Sequence, residues 1–265
     1  VLENRFGIKK MKFKKIIAMI LIGFSAYSWG ADNSIYIDQS GDNATIAMTQ
    51  DGASNVVRGV GAASNNVASK LYGDGLTVTV QQIGSGNTLN LGAQTGTSGG
   101  VASSISYNLT GNNNLATISM NNAGTKASLS NLIDIAQAGD NTVTTISMLG
   151  NSNYLRSIQS GNSNKIISTV DANDTVVNVN QTGGTGNETT LQLTGDKGTV
   201  DVVTVGATNI IGITQSGGGV TGHYAKIDLN GSSNQVSISQ SGSIDMTTNI
   251  KGVGNSNSFT IIQRN

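Results

Sequence analysis

The chain has no cysteine, no proline, one histidine and one tryptophan, and only 11% of its 265 residues are charged. Each shortage closes off a class of protein. Without cysteine there is no disulfide framework, no thiol nucleophile and no thiolate-bound zinc. The lone His223 has only Tyr224 and Asp228 near it in sequence. It is expected on an exposed loop, without the partners that acid–base or metal chemistry needs. Aromatic residues make up 4%, too few for a conventional globular core of this length. Basic residues number 15, equal to the acidic ones, and no basic patch offers a site for nucleic acid or anionic lipid. The sparse carboxylates fall mainly in turns, which argues against a hydrolytic cleft, so no catalytic residue, cofactor or metal ligand is expected.

Long apolar runs are also missing. The longest is Ile16 to Ala26, 11 residues, preceded by Lys12, Lys14 and Lys15. A membrane span needs about 20 apolar residues, so this run reads as the h-region of an export signal. Residues 1–10 carry no pattern and are expected to be an upstream mis-start, with the signal peptide at 11–30. Ser28 and Gly30 set cleavage before Ala31. No cysteine follows to carry a lipid. The expected mature chain, residues 31–265, has nine basic and 14 acidic residues and one Phe.

What is abundant is glycine, at 35 residues, together with Asn, Ser and Thr in a repeating order. Asn234-x-Val236-x-Ile238-x-Gln240-x-Gly242 has apolar residues at every second position, the period of a strand with one buried face. The same order recurs from Asn33 through Ile35, Ile37 and Gln39 to Gly41, and again from Asn131, Asn153 and Asn209. The last copy runs Asn257, Phe259, Ile261, Gln263. Nine of the 13 Gln residues begin Gln-x-Gly, at 39, 50, 82, 94, 137, 159, 181, 215 and 240, where one or two would follow from composition. Gln137, Gln159 and Gln181 are 22 apart and Gln240 and Gln263 are 23 apart, while Gln39 and Gln50 are 11 apart. One unit is therefore strand–turn–strand–turn.

No unit of that size buries enough apolar surface alone, so units must stack. The expected fold is all-β: a two-sheet parallel β-solenoid with about 22–23 residues per turn, one domain over 31–265, with roughly ten turns at ~4.8 Å each. Gln at the strand end is expected to stand over the Gln below as a hydrogen-bonded ladder. The Asn before each strand is expected to tolerate left-handed backbone and bond its own turn, and the Gly after each Gln to permit positive φ. The expected ladder positions are Asn33, Gln39, Gly41, Gln50, Gly52, Asn55, Gln82, Gly84, Asn87, Gln137, Gly139, Gln159 and Gly161. They continue with Asn164, Gln181, Gly183, Asn209, Gln215, Asn234, Gln240, Asn257 and Gln263. The pattern blurs from Val56 to Gly75, and Thr95 to Ala102 reads as a turn or insertion. Asp196–Val205, Gly217–Asp228 and Gly242–Gly254 are expected to include long loops. Met120 takes the Gln place in the half-unit from Asn114.

Gln50-x-Gly52-x-x-Asn55, Gln82-x-Gly84-x-x-Asn87 and Gln159-x-Gly161-x-x-Asn164 resemble the curlin repeat of curli fibre subunits. Gln39-x-Gly41-x-Asn43 is one residue shorter, and Ile35–Gln50 and the terminal Gln263-Arg264 look like the minor, nucleating type of subunit. The resemblance spans most of residues 33–263. It implies a secreted, self-assembling subunit of an amyloid-like adhesive fibre in the biofilm matrix of a Gram-negative-type bacterium. It also implies related curlin subunits, a curli-type outer-membrane channel and chaperones as partners. Exposed first and last turns would then dock, with Ile35, Ile37, Phe259 and Ile261 on the docking strands. The competing class is a monomeric adhesin or ligand-binding solenoid. Calcium binding by Asp42, Asp140, Asp171 or Asp174 lacks the tandem Gly-Gly-x-Gly-x-Asp series, and Ser216–Gly219 lacks the Gly-Lys-Ser/Thr of a phosphate loop. Thr175, Thr189 and Thr190 invite comparison with ice-binding ladders, but no flat Thr-x-Thr array at constant spacing is visible.

Overall fold

A computed structural model describes residues 19–22, 33–40, 44–61, 64, 67–72, 76–94, 103–121 and 131–265. Among these the fold is all-β, with two parallel sheets stacked as a solenoid. The first sheet runs Met19–Ile22, Thr45–Asp51, Leu76–Ile83, Ser103–Thr110, Leu132–Ala138, Tyr154–Ser160, Val176–Thr182, Thr199–Val205, Tyr224–Asn230 and Thr247–Val253. The second begins with Ser34–Ile35 and Ile37–Ser40, then Val56–Gly59 and Ser69–Tyr72. It continues Thr88–Gln94, Leu115–Asn121, Val143–Leu149, Lys165–Asp171, Glu188–Leu193, Ile210–Gly217, Gln235–Gly242 and Ser258–Arg264. From Leu76 the chain alternates strictly between sheets, making eight regular turns behind one irregular turn.

The alternation seen in the sequence is the cause. In Leu132–Ala138 the second, fourth and sixth residues are buried, as they are in Lys165–Asp171. Parallel pairing without slippage then puts like on like. Ile118 lies beside Ile146 and Met120 beside Met148, while Val200 and Val202 meet Ala225 and Ile227. The seam between the sheets is a continuous line of Ile, Val, Leu and Met, almost all fully buried. Each such side chain contributes about 1.5–3 kcal/mol of transfer free energy, and because every layer buries its neighbour, no layer is stable alone. Tyr107 is the largest side chain in the seam, and burial pushes its phenol pKa up.

The repeat length holds where the sequence was clearest: first-sheet strands start at 132, 154, 176 and 199, steps of 22, 22 and 23. Asp196–Val205 is a correction. It contains no long loop: a short turn ends at Gly198 and Thr199–Val205 is a full strand. Val203 and Val205 on its outward side hid the period, which is carried by Val200 and Val202. The blurred stretch resolves into two short second-sheet strands, Val56–Gly59 and Ser69–Tyr72. Gly41, Asn43, Thr95–Ala102 and the cleavage position before Ala31 lie outside the described residues. Met19–Ile22, within the expected signal peptide, pairs with Thr45–Met48 as an outer strand of the first sheet.

Candidate assembly interface

Two columns of bends join the sheets. The bend leading from the first sheet to the second has four residues in all but one turn, Gly52–Asn55, Gly84–Asn87, Gly111–Asn114, Gly139–Thr142, Gly161–Asn164, Gly206–Asn209, Gly231–Asn234 and Gly254–Asn257, and five at Gly183–Asn187. Its opening glycine has positive φ, 133° at Gly139, and the carbonyl of Gly161 in the next turn stands where a Cβ would be. Only glycine meets both demands. The left-handed residue is the third of the bend, as at Ser54, Asn113, Ser163 and Ser256, and not the Asn that follows. The expectation that Asn supplies the left-handed backbone is therefore corrected.

The Asn does bond its own turn, as Asn164 Nδ2 donates to Ser160 O at 3.0 Å, and it also bonds the neighbouring turns. Asn55 N–H donates to Asn33 Oδ1 at 2.9 Å, Asn87 N–H to Asn55 Oδ1 at 3.1 Å and Asn114 N–H to Asn87 Oδ1 at 3.0 Å. Asn187, Asn209, Asn234 and Asn257 continue the series, each donating to the Oδ1 of the preceding Asn. Side-chain Nδ2 groups donate across to the bend glycines, from Asn33 to Gly52 O, Asn87 to Gly111 O and Asn187 to Gly206 O. Thr142 is the one substitution in the column, and its N–H and hydroxyl both reach Asn114 Oδ1. Buried amides are costly unless bonded, and here donor and acceptor are both used. Asn114 and Asn187, absent from the expected set, belong to this ladder; the Gly-x-x-Asn spacing that places Asn55 and Asn87 also marks them.

The glutamines form two shorter ladders. In the first sheet Gln50 Nε2 donates to Gln82 Oε1 at 2.8 Å, Gln137 to Gln159 at 2.8 Å and Gln159 to Gln181 at 3.3 Å. Leu109 interrupts between Gln82 and Gln137, and Thr204 follows Gln181. The ladder then changes sheets: Gln215 donates to Gln240 and Gln240 to Gln263, both at 2.8 Å. Threonines facing from the opposite sheet complete the sites, as Thr144 does for Gln137 and Gln159 and Thr189 for Gln181. Gln94 is one position past its column, where Ala93 aligns with Met120.

The second column of bends, from the second sheet back to the first, is irregular. Among the described residues its Asn ladder covers Asn131, Asn153 and Thr175. Gly198, His223 and Met246 hold the place in later turns, where their carbonyls accept from the N–H groups of Val176, Thr199 and Tyr224 one layer back. His223 is therefore buried, not exposed: Nε2 lies 3.1 Å from Ser216 O, and Nδ1 has no hydrogen-bond partner. Thr175 and Thr189 are also buried and face inward. Among the described residues no cluster of His, Cys, Asp or Glu is placed to hold a metal.

At both ends the columns stop without a cap among the described residues. Ser258–Arg264 and Ser34–Ser40 are the outermost strands of the second sheet. Phe259, Ile261 and Gln263 are half-buried, whereas Val236, Ile238 and Gln240 one layer in are fully buried. Ile37 and Gln39 are half-buried and Ile35 is exposed. No family model, curated protein or solved structure matches the chain.

Proposed function

We propose that the chain is a secreted structural subunit of a curli-like fibre that grows by adding copies at the solenoid ends. One observation carries this reading: the last strand, Ser258–Arg264, continues the Asn ladder at Asn257, the apolar seam at Phe259 and Ile261 and the Gln ladder at Gln263, and only one of its two edges is paired. An open strand edge is a template for another chain. Assembly here needs no catalytic residue or cofactor, only repetition and two open ends. Related curlin subunits would fit the same edge, and a curli-type outer-membrane channel with its chaperones would deliver the chain, in keeping with the repeat resemblance.

The test is direct. Purified residues 31–265 are incubated and imaged, with thioflavin fluorescence followed in time. Fibres are expected, and replacing Ile262 by proline, which removes a backbone donor from the open edge of the last strand, is expected to slow growth at least several-fold. A chain that stays monomeric at high concentration would overturn the reading. A second reading then takes over, because the outer side of the second sheet carries Thr117 and Ser119 beside Thr145 and Ser147, with Thr169, Thr214, Ser237 and Ser239 further along. That face would suit a monomeric ligand-binding or ice-binding solenoid.

A further inference from the structure

The two ends of the solenoid differ in a way that fixes how copies can meet. At the far end, Thr247–Val253 of the first sheet and Ser258–Arg264 of the second complete one layer. At the near end, Asn33 bonds Asn55 as part of the Asn bend column, and Ser34–Ser40 pairs outside Val56–Tyr72. That layer has its bend and its second-sheet strand. Its first-sheet place lies ahead of Asn33, beside Thr45–Asp51, and Met19–Ile22 occupies it.

We propose, resting on the fibre reading above, that mature copies join head to tail through the second sheet alone. Each junction then leaves the first sheet one strand short. The register is set by columns running the length of the molecule. Gln39 shares its column with Leu71, Ala93, Met120, Met148, Val170, Leu193, Gln215, Gln240 and Gln263. Asn33 and Asn257 share the bend column. A second copy seated on the far end therefore puts Asn33 on Asn257, Ile35 on Phe259, Ile37 on Ile261 and Gln39 on Gln263. This is the pairing already present between adjacent layers within the chain. Gln240 already donates Nε2 to Gln263 Oε1, and Asn257 N–H to Asn234 Oδ1. One more step carries Gln263 Nε2 to Gln39 and Asn33 N–H to Asn257 Oδ1.

In the first sheet, Thr247 and Thr45 belong to one column. With the slot between them they stand two strand spacings apart, about 9.6 Å. The slot is one strand wide and lined by unpaired backbone on both sides. A copy that keeps Met19–Ile22 carries its own filler, while a copy cut before Ala31 leaves the slot open. Fibres of the mature chain thus have a regular weak seam, one per subunit, where a strand of the same or another polypeptide can enter.

The chain's lack of cysteine makes the test clean. Disulfides need Cα atoms roughly 4.4–6.8 Å apart, close to one strand spacing and well short of two. Fibres of residues 31–265, which contain both sheets, are grown from four variants: S34C/S258C, D38C/S258C, T45C/T247C and S258C alone. All the altered side chains are at least partly exposed. After mild oxidation, denaturing gels are expected to show a ladder of covalent multimers for S34C/S258C and monomer for the other three. Efficient linking of D38C/S258C would overturn the register, and efficient dimers of S258C alone would show tail-to-tail contact and overturn the polarity. A ladder from T45C/T247C would overturn the slot. Fibres that form without any S34C/S258C links would also defeat the proposal while leaving the fibre reading intact. Failure of the unaltered chain to polymerise would instead remove that reading itself.

Discussion

The two bend columns perform one task, turning the chain between the same two sheets, yet they are built differently. The Gly-x-x-Asn column is locked in three ways: by a glycine against the next turn's carbonyl, a left-handed third residue and a near-continuous amide ladder. The opposite column uses the same devices only in its middle, where Gly150 faces the Ala172 carbonyl and Ser152 and Asp174 are left-handed, and it then gives way to longer excursions such as Gly218–His223. One edge of the solenoid therefore holds the register, even across the extra residue of Gly183–Asn187, and the other absorbs most of the sequence drift. First-sheet strands that start at 199, 224 and 247 differ in spacing because of the second edge, while their pairing stays in phase.

The largest expected effect breaks this comparison outright. Two glycines inserted between Asn162 and Ser163 would displace Asn164 from Asn187 N–H and Ser163 N–H from Asp140 O. Loss of both, with misregistered layers above, is expected to cost about 4 kcal/mol or more. The same insertion between Val220 and Thr221, where Val220 is 81% exposed and the bonds at risk are the solvent-exposed ones to Asp245, is expected to cost about 2 kcal/mol or less. Urea unfolding of the two variants measures the difference. Equal losses would mean that the edges are equivalent.

A smaller change sharpens it. Asn187 accepts from Asn209 N–H and Nδ2, both at 3.0 Å, and donates to Gly206 O at 2.8 Å. Asn187→Ala strands these buried groups, and a loss of about 2–3 kcal/mol is expected. In the opposite column Thr175 keeps its backbone bond to Asn153 Oδ1 when the side chain is trimmed, and its hydroxyl makes only a 3.3 Å contact with Asn173 O. Thr175→Ala is expected to cost under about 1 kcal/mol by the same measurement.

The sequence carried the architecture well because period-2 alternation and a glycine-marked turn are local signals that a solenoid repeats in every layer. Gln137, Gln159 and Gln181 were legible as a ladder for the same reason. Three features escaped. The role of Asn depends on a neighbour about 22 residues away, as at Asn209 and Asn187, so reading the turn in isolation assigned it a backbone role that the preceding residue performs. The glutamine ladder's move to the second sheet after Gln181 is invisible in a list of Gln positions, since only pairing shows that Leu193 precedes Gln215. His223 is expected on an exposed loop because no partner lies near it in sequence, but its place is the buried one that Thr175 and Asn153 fill two and three layers away.

The smallest effect concerns how the permissive edge holds its longest described excursion. Asp245 accepts from the backbone N–H groups of Gly219, Thr221 and Gly222 at 2.7, 2.9 and 2.8 Å, and from the Thr221 hydroxyl at 2.8 Å. The Thr221 backbone and hydroxyl bonds, then those of Gly222 and Gly219, hold its carboxyl pKa below the ordinary value. A carboxylate depressed on folding stabilises above its unfolded pKa, near 3.9, and loses that contribution as pH falls through the lower folded value. Amide exchange at Gly219, Thr221 and Gly222 is therefore expected to rise below about pH 4 beyond the intrinsic change, and to be raised already at neutral pH in Asp245→Asn. Amides of the Gly231–Asn234 bend, held by neutral Asn and backbone bonds, should show no such step. An acid-dependent loosening that reached that bend as well would mean that the two edges unfold together. A step confined to Gly219–Gly222 would show that this excursion opens and closes without disturbing the ladder that sets the register.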